Sequence, residues 1–369
     1  MRTTMTIAAD DLQSHFYDQG WTDGLPIVAP TAAAVEAMLA GGGVAADEVL
    51  GAIPAHGVTM DAEHAATAAV MAGCVPEYFP IVLAAVGATL DPLFNLQVAC
   101  TSTGGPALCT IVSGPLAAEL AMNAEHNALA SGNRANATIG RAVRFAAVNL
   151  LRTQVDGTDG SSIGNPGKYT FCFAERPVTG WSSLREDLGY AEEDTTVTVA
   201  PTTGPIQVGN HLTAEPDAIA ASLAAAMRMP SLFTTGKGGA QFVIALGVEH
   251  EAAFRDNGWT RADLRARLRE GSRIRVDELR AAGIVIEEGT HHDMSADADG
   301  YLRTVAADAD IHVVSAGGAG AGWSAVIPSW APRQHAQIAT RRVRVKGEEL
   351  PDCGPDSCAI DPTAMEGRL

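Results

Sequence analysis

Several residues in this chain have types and spacings that could do chemistry. Glu63, Thr67, Val70 and Cys74 fall on one stripe of a predicted helix, since eleven residues complete almost three whole turns. The rise between Glu63 and Cys74 is about 16 Å, so the two cannot form a direct acid–thiol pair. Glu63 and His64, near the helix start, are acid/base candidates if they face a cleft. The plainer alternative is a solvated first turn in which Glu63 complements the helix dipole. Arg134, Thr138 and Arg141 share one face of a predicted helix over 133–151, with Asn136 in the same segment. Two guanidinium forks on one face suit a substrate carboxylate. Pairing with the chain's own acids is the alternative.

Lys168, Thr170 and Cys172 alternate onto one face of a predicted strand. A lysine near a cysteine lowers the thiol pKa, whereas a buried strand cysteine merely packs. Gly317 and Gly318 open a glycine-rich segment after a buried strand, where backbone amides can cradle an anion or simply form a tight turn. Its spacing is not that of a dinucleotide fingerprint or a phosphate loop. His250 is a further acid/base candidate. His291-His292-Asp293 lacks zinc-ligand spacing, and Cys353 and Cys358 in the tail have four residues between them. No Gly-x-Ser-x-Gly elbow is present.

The elements that must position these residues alternate between strands and helices. Helices are predicted at 61–72, 77–90, 133–151 and 215–227, and strands at 95–100, 108–112, 169–174, 195–199, 206–208, 241–246, 284–286 and 311–315. Thr260 and Asp263 have the spacing of a helix cap. The fold class is α/β, as two packed α/β domains or lobes with mainly buried sheets. The polar stretch 156–168 is the candidate boundary, giving an N-terminal lobe over 1–155, a second lobe over 156–350 and a loose tail over 351–369. No short-period repeat of the solenoid kind is visible.

The 369 residues carry 43 acidic and 25 basic side chains, a formal charge of −18. This balance argues against nucleic acid and against an anionic membrane as partners. With no apolar leader and no long apolar run, the expectation is a soluble cytoplasmic protein whose six cysteines are thiols. A homo-oligomer is expected.

Four segments carry a family resemblance: Trp21-Thr22-Asp23-Gly24-Leu25-Pro26, Val70 through Tyr78, Arg134 through Ala142, and Gly164-Asn165-Pro166-Gly167-Lys168-Tyr169. Together they resemble a bacterial family related to proteins named for a Sec/Cys-Gly-Ser-Cys motif. Some members are labelled as similar to selenoprotein B of glycine and betaine reductases. The likeness spans residues 20–210 and continues more weakly through Glu249-His250 and Ala316-Gly317-Gly318. It implies thiol-based reductive chemistry or a place in a reductase complex. The Cys-Gly-Ser-Cys signature itself is absent from this chain.

The residues and the resemblance lead to three expectations. The first is an enzyme acting on a small carboxylate-bearing metabolite by lytic, hydrolytic or reductive chemistry. In it Arg134, Asn136, Arg141, Lys168, Gly317 and Gly318 bind substrate, Glu63, His64 or His250 act as acid and base, and Cys74 or Cys172 supplies a thiol. The second is a metal-dependent lyase or hydrolase using His56, His64, His250 or His291, with a divalent metal as cofactor. The third is a non-catalytic subunit of a reductase complex.

Overall fold

Apolar residues on both faces of 107–113 and 242–246 require strands covered on two sides, and both segments are buried along their whole length. A computed structural model of the chain describes residues 5–153, 155, 157–235, 237–284 and 296–344. The protein has an α/β fold. Its strands are β1 (Val49–Ile53), β2 (Val58–Asp61), β3 (Ala107–Ser113), β4 (Cys172–Ala174), β5 (Thr196–Thr202), β6 (Ile206–Gly209), β7 (Phe242–Leu246), β8 (Ile274–Arg275), β9 (Tyr301–Leu302), β10 (Ile311–Ser315), β11 (Trp323–Pro328) and β12 (Ala339–Arg342). The helices that matter here are α1 (Ala32–Gly42), α2 (Ala62–Ala72), α3 (Phe79–Thr89), α4 (Arg134–Leu151), α5 (Leu184–Asp187), α6 (Pro216–Arg228), α7 (Val248–Asp256) and α8 (Arg261–Gly271).

Two four-stranded sheets form the centre, in the orders β12-β5-β3-β4 and β10-β7-β11-β6. In the first, β3 runs parallel to β4 and antiparallel to β5, and β5 is antiparallel to β12. In the second, β7 runs parallel to β10 and antiparallel to β11, and β11 is antiparallel to β6. The two sheets are therefore copies of one motif. Burial follows the same parity in both. Cys109 and Ile111 of β3 and Val243 and Ala245 of β7 meet between the sheets, while Leu108 and Val112, and Ile244 and Leu246, face helices. Helices α1 to α4 cover the outside of the first sheet and α6 to α8 the outside of the second, so the layers run α–β–β–α.

The halves exchange their fourth strands. β5 leads directly into β6 of the other sheet, and β11 leads to β12 of the first. At the crossing Thr202 bridges Ser329, Thr203 N donates to Pro328 O (3.0 Å) and Trp330 N donates to Pro201 O (2.9 Å). The reciprocal pair marks a pseudo-two-fold axis, with Pro201-Thr-Thr-Gly-Pro205 opposite Pro328-Ser-Trp-Ala-Pro332. The stretch 156–168 lies within the first motif, between α4 and β4, and the passage between sheets occurs after β5 and after β11.

Local chemistry explains the elements. Asn133 accepts from Asn136 N and starts α4; Thr260 and Asp263 form a full capping box at α8. The segment 95–100, expected as a strand, is helical over Leu96–Thr101. Its buried residues Leu96, Ala99 and Cys100 have the i, i+3, i+4 spacing of a helix face. Of the strand expected at 284–286, Ile284 lies outside any strand and the rest falls outside the described residues. Among the described residues no helix is long and apolar enough to cross a membrane.

Candidate functional site

A dense cluster of reactive groups lies where α4 meets the loop before β4. Ser161 Oγ donates to Asp159 Oδ1 (2.5 Å) and accepts from Lys168 Nζ (2.6 Å). Lys168 Nζ also lies 2.9 Å from both oxygens of Asp159. Arg144, from α4, donates through Nη2 to Asp159 Oδ2 (2.9 Å), with its Nη1 3.6 Å from Cys100 Sγ. Two cations thus share one buried carboxylate. Burial pushes the Asp159 carboxyl up, but hydrogen bonds from Ser161 and Lys168 and the charges of Lys168 and Arg144 outweigh it and hold the group below its ordinary value.

The backbone is built to allow this approach. Gly105 has φ +59°, and a Cβ there would lie 2.9 Å from Cβ and Oγ of Ser161. Asn165 accepts from Gly167 N and donates to Thr202 O (3.3 Å), tying the loop to β5 beside the pseudo-two-fold crossing. Of the expected site residues only Lys168 belongs here. Asp159 lies in the polar stretch 156–168. Ser161 and Arg144 were missed, and the signal for Ser161 was the Asp-x-Ser spacing seven residues before Lys168 in a Gly/Ser/Asp-rich stretch.

Cys74, Cys172 and Arg134 meet in a second place, between α2, α4 and β4. Gly140 makes this possible, since a Cβ there would lie 2.5 Å from Thr170 Oγ1 and 3.0 Å from Cys172 Cβ. Burial pushes the Cys74 thiol up to about 12, against smaller opposing contributions from a Thr138 hydrogen bond and the Arg134 charge. Burial raises Cys172 and Cys109 as well, and Cys100 despite Arg144 and Lys168 nearby. All four are buried and free. A nucleophilic cysteine must ionise, and burial opposes this at Cys74 and Cys172, which pack between α2, α4 and β4. Iodoacetamide applied to the folded protein at pH 8 should leave Cys74, Cys100, Cys109 and Cys172 unmodified, and should label them all in urea. Peptide mass spectrometry reads the outcome; rapid native labelling of Cys74 or Cys172 would restore the thiol reading.

The other expected residues are committed to the scaffold. Arg141 binds Asp23 bidentately (2.7 Å and 2.7 Å) and also donates to Pro26 O (3.0 Å), so its fork clamps the N-terminal segment instead of a substrate. Arg134 Nη2 donates to Gly73 O (3.1 Å), closing the C-terminus of α2. Asn136 is buried and exchanges hydrogen bonds with both backbone groups of Asn123 (3.0 Å and 2.8 Å). His250 is 1% exposed. Its Nε2 donates to Asn210 O (3.1 Å), which fixes Nδ1 as acceptor for the Ser324 hydroxyl (2.8 Å). Burial holds its pKa below the ordinary value despite that bond, so it sits neutral as a link between β6 and β11, not as a solvent-facing base.

His64 is exposed and pairs with Asp61 (2.6 Å) at the start of α2, and Glu63 sits in the same first turn. Neither joins the Asp159 cluster. Gly317 N donates to Ala124 O (2.8 Å), and a Cβ on Gly318 would lie 2.3 Å from the His126 ring. The segment is pinned further by His126 Nε2 to Ala319 O (2.6 Å) and Gly320 N to Glu249 Oε1 (2.6 Å). It is a turn packed against the first half. His291, His292, Asp293, Cys353 and Cys358 lie outside the described residues. Among the described residues, His56 included, no group of three or more His, Cys, Asp or Glu is arranged to hold a metal ion. No family model and no curated protein matches the chain.

Proposed function

We propose that this protein is an enzyme of acyl transfer or hydrolysis, acting through Ser161 on a small acyl group that carries a carboxylate. The observation that carries the reading is the position of Ser161 Oγ, within hydrogen-bond reach of both Lys168 Nζ (2.6 Å) and Asp159 Oδ1 (2.5 Å). A serine hydroxyl needs an adjacent proton acceptor to become a nucleophile. In the reacting form Lys168 has given up its ammonium proton, so its Nζ accepts the Ser161 proton instead of donating to Oγ, as Oγ bonds to the substrate's carbonyl carbon. It returns that proton to the leaving group as the old acyl bond breaks, and water then releases the acyl group from Ser161. Asp159 holds both partners in place. Arg144 shares that carboxylate and ties it to α4. In the resting form, before Lys168 loses its proton, two cations exceed the one carboxylate, which favours the entry of an anionic substrate.

A fluorophosphonate probe tests this directly. The expected result is one covalent adduct on the peptide carrying Ser161, lost in Ser161→Ala with the far-UV circular dichroism unchanged. An unlabelled wild-type protein, or a label elsewhere that survives the substitution, defeats the proposal.

A further inference from the structure

A cavity of about 220 Å³ lies between α5, α8 and the start of β10. A water molecule's share of liquid volume is about 30 Å³, so this space accommodates a small organic molecule. Its walls combine apolar side chains, Leu184, Leu188 and Ile311 among them, with Asp187, Arg265, Asp308 and His312.

His312 is the unusual wall. It is 8% exposed, and its Nε2 is buried without a hydrogen-bond partner among the described residues. Burial, with Arg265 adding to it and Asp187 opposing, pushes this imidazole down to about 4. The ring is thus neutral near pH 7 and keeps both a donor and an acceptor. An orphaned polar atom of this kind is costly, and ligand sites are where such costs are retained.

The neighbours define the ligand. Asp187 is already satisfied by Arg265 Nη1 (2.8 Å) and Ser182 Oγ (2.8 Å). Among the described residues Arg265 engages only Nη1, which leaves the rest of its guanidinium for a carboxylate. Among the described residues the Oδ1 of Asp308 has no hydrogen bond, and Arg269 lies 3.7 Å from it. One cation, one imidazole, one open carboxylate and a short aliphatic wall complement a zwitterion.

We infer that this cavity binds a small α-amino acid with an aliphatic side chain, its carboxylate on Arg265 and His312 and its ammonium on Asp308. The site is separate from the Ser161 cluster and does not depend on the function assigned to it.

Titration calorimetry on the full chain at pH 7 tests the inference with three probes: L-valine, isobutyrate and isobutylamine. Valine should bind saturably and the two half-ligands at least about tenfold more weakly. Asp308→Asn should weaken valine about tenfold and leave isobutyrate unchanged. His312→Leu should abolish valine binding while raising the urea midpoint, because it removes an unpaired buried nitrogen; a merely structural histidine would lower it. Imidazole nitrogen shifts of His312 in the wild-type protein give a readout that no variant can confound. Failure of all three probes to saturate overturns the inference. So does isobutyrate matching valine, or a folded His312→Leu that binds valine as the wild type does.

Discussion

Arg261→Ala is expected to lower the unfolding free energy by about 3–5 kcal/mol, the largest effect on stability of any single substitution proposed for this chain. Arg261 opens α8 in the second half and is 1% exposed. Its guanidinium donates to Val313 O (2.8 Å), Ser315 Oγ (3.1 Å) and Glu175 Oε1 (2.8 Å), and lies 5.3 Å from the centre of the Trp181 ring. Glu175 follows β4 in the first half and is itself 2% exposed. It also accepts from Leu184 N (2.9 Å) and from Ser113 Oγ. The pair joins the two motifs where their parallel strands end, beside the bond from Arg176 N to Ser315 O (2.7 Å). Truncating the arginine leaves a carboxylate buried with no opposite charge, and that desolvation cost dominates.

Lysine should rescue little of this loss, since a single ammonium cannot reach three separately placed acceptors. The double variant Arg261→Met with Glu175→Gln should recover much of it, because both charges leave together. Urea unfolding followed by circular dichroism measures all three. A loss below about 1 kcal/mol for Arg261→Ala, the size of an exposed pair, would falsify the bridging role.

How far the sequence foretold this structure depends on the range of the interaction. Asn133 before α4 and Thr260 with Asp263 at α8 are local signals, and the helices begin where those residues place them. Apolar continuity likewise marks β3, β7 and β10, which are covered on both faces. The duplication is not legible in this way. What the two motifs share is burial parity along strands and a proline at the crossing, not residue identity. β12 completes the first sheet although it comes last in the chain, and no local window reveals such an exchange.

The candidate site follows the same rule. Lys168 and Asp159 stand close in sequence, within a polar stretch whose composition marks a loop or boundary and not a site. Arg141 has a face that suits a substrate carboxylate, but its fork is filled by Asp23, 118 residues away. Cysteine content is visible in a sequence, whereas the burial that keeps Cys74 and Cys172 protonated is a property of three packed elements. The same limit applies to His250, which shows its chemistry in the sequence and its burial only in the fold.

Lys168→Met should lower kcat by about 10²–10⁴-fold on an activated ester of a small dicarboxylic acid, the range that a positioned proton-transfer group contributes. The side chain is 17% exposed, so methionine keeps most of its packing while removing the proton acceptor beside Ser161. Arginine should not restore activity, because it stays protonated and so cannot accept the serine proton. Ser161→Ala should cost at least as much, and the double variant no more than the worse single one, because the two groups act as a unit. This non-additivity separates catalysis from simple electrostatic attraction, for which losses of charge and of nucleophile would multiply. Steady-state rates on proteins matched for circular dichroism and urea midpoint decide between the two. A Lys168→Met enzyme within about tenfold of wild type would leave Lys168 as a partner of Asp159 alone and remove Ser161 from the role of activated nucleophile.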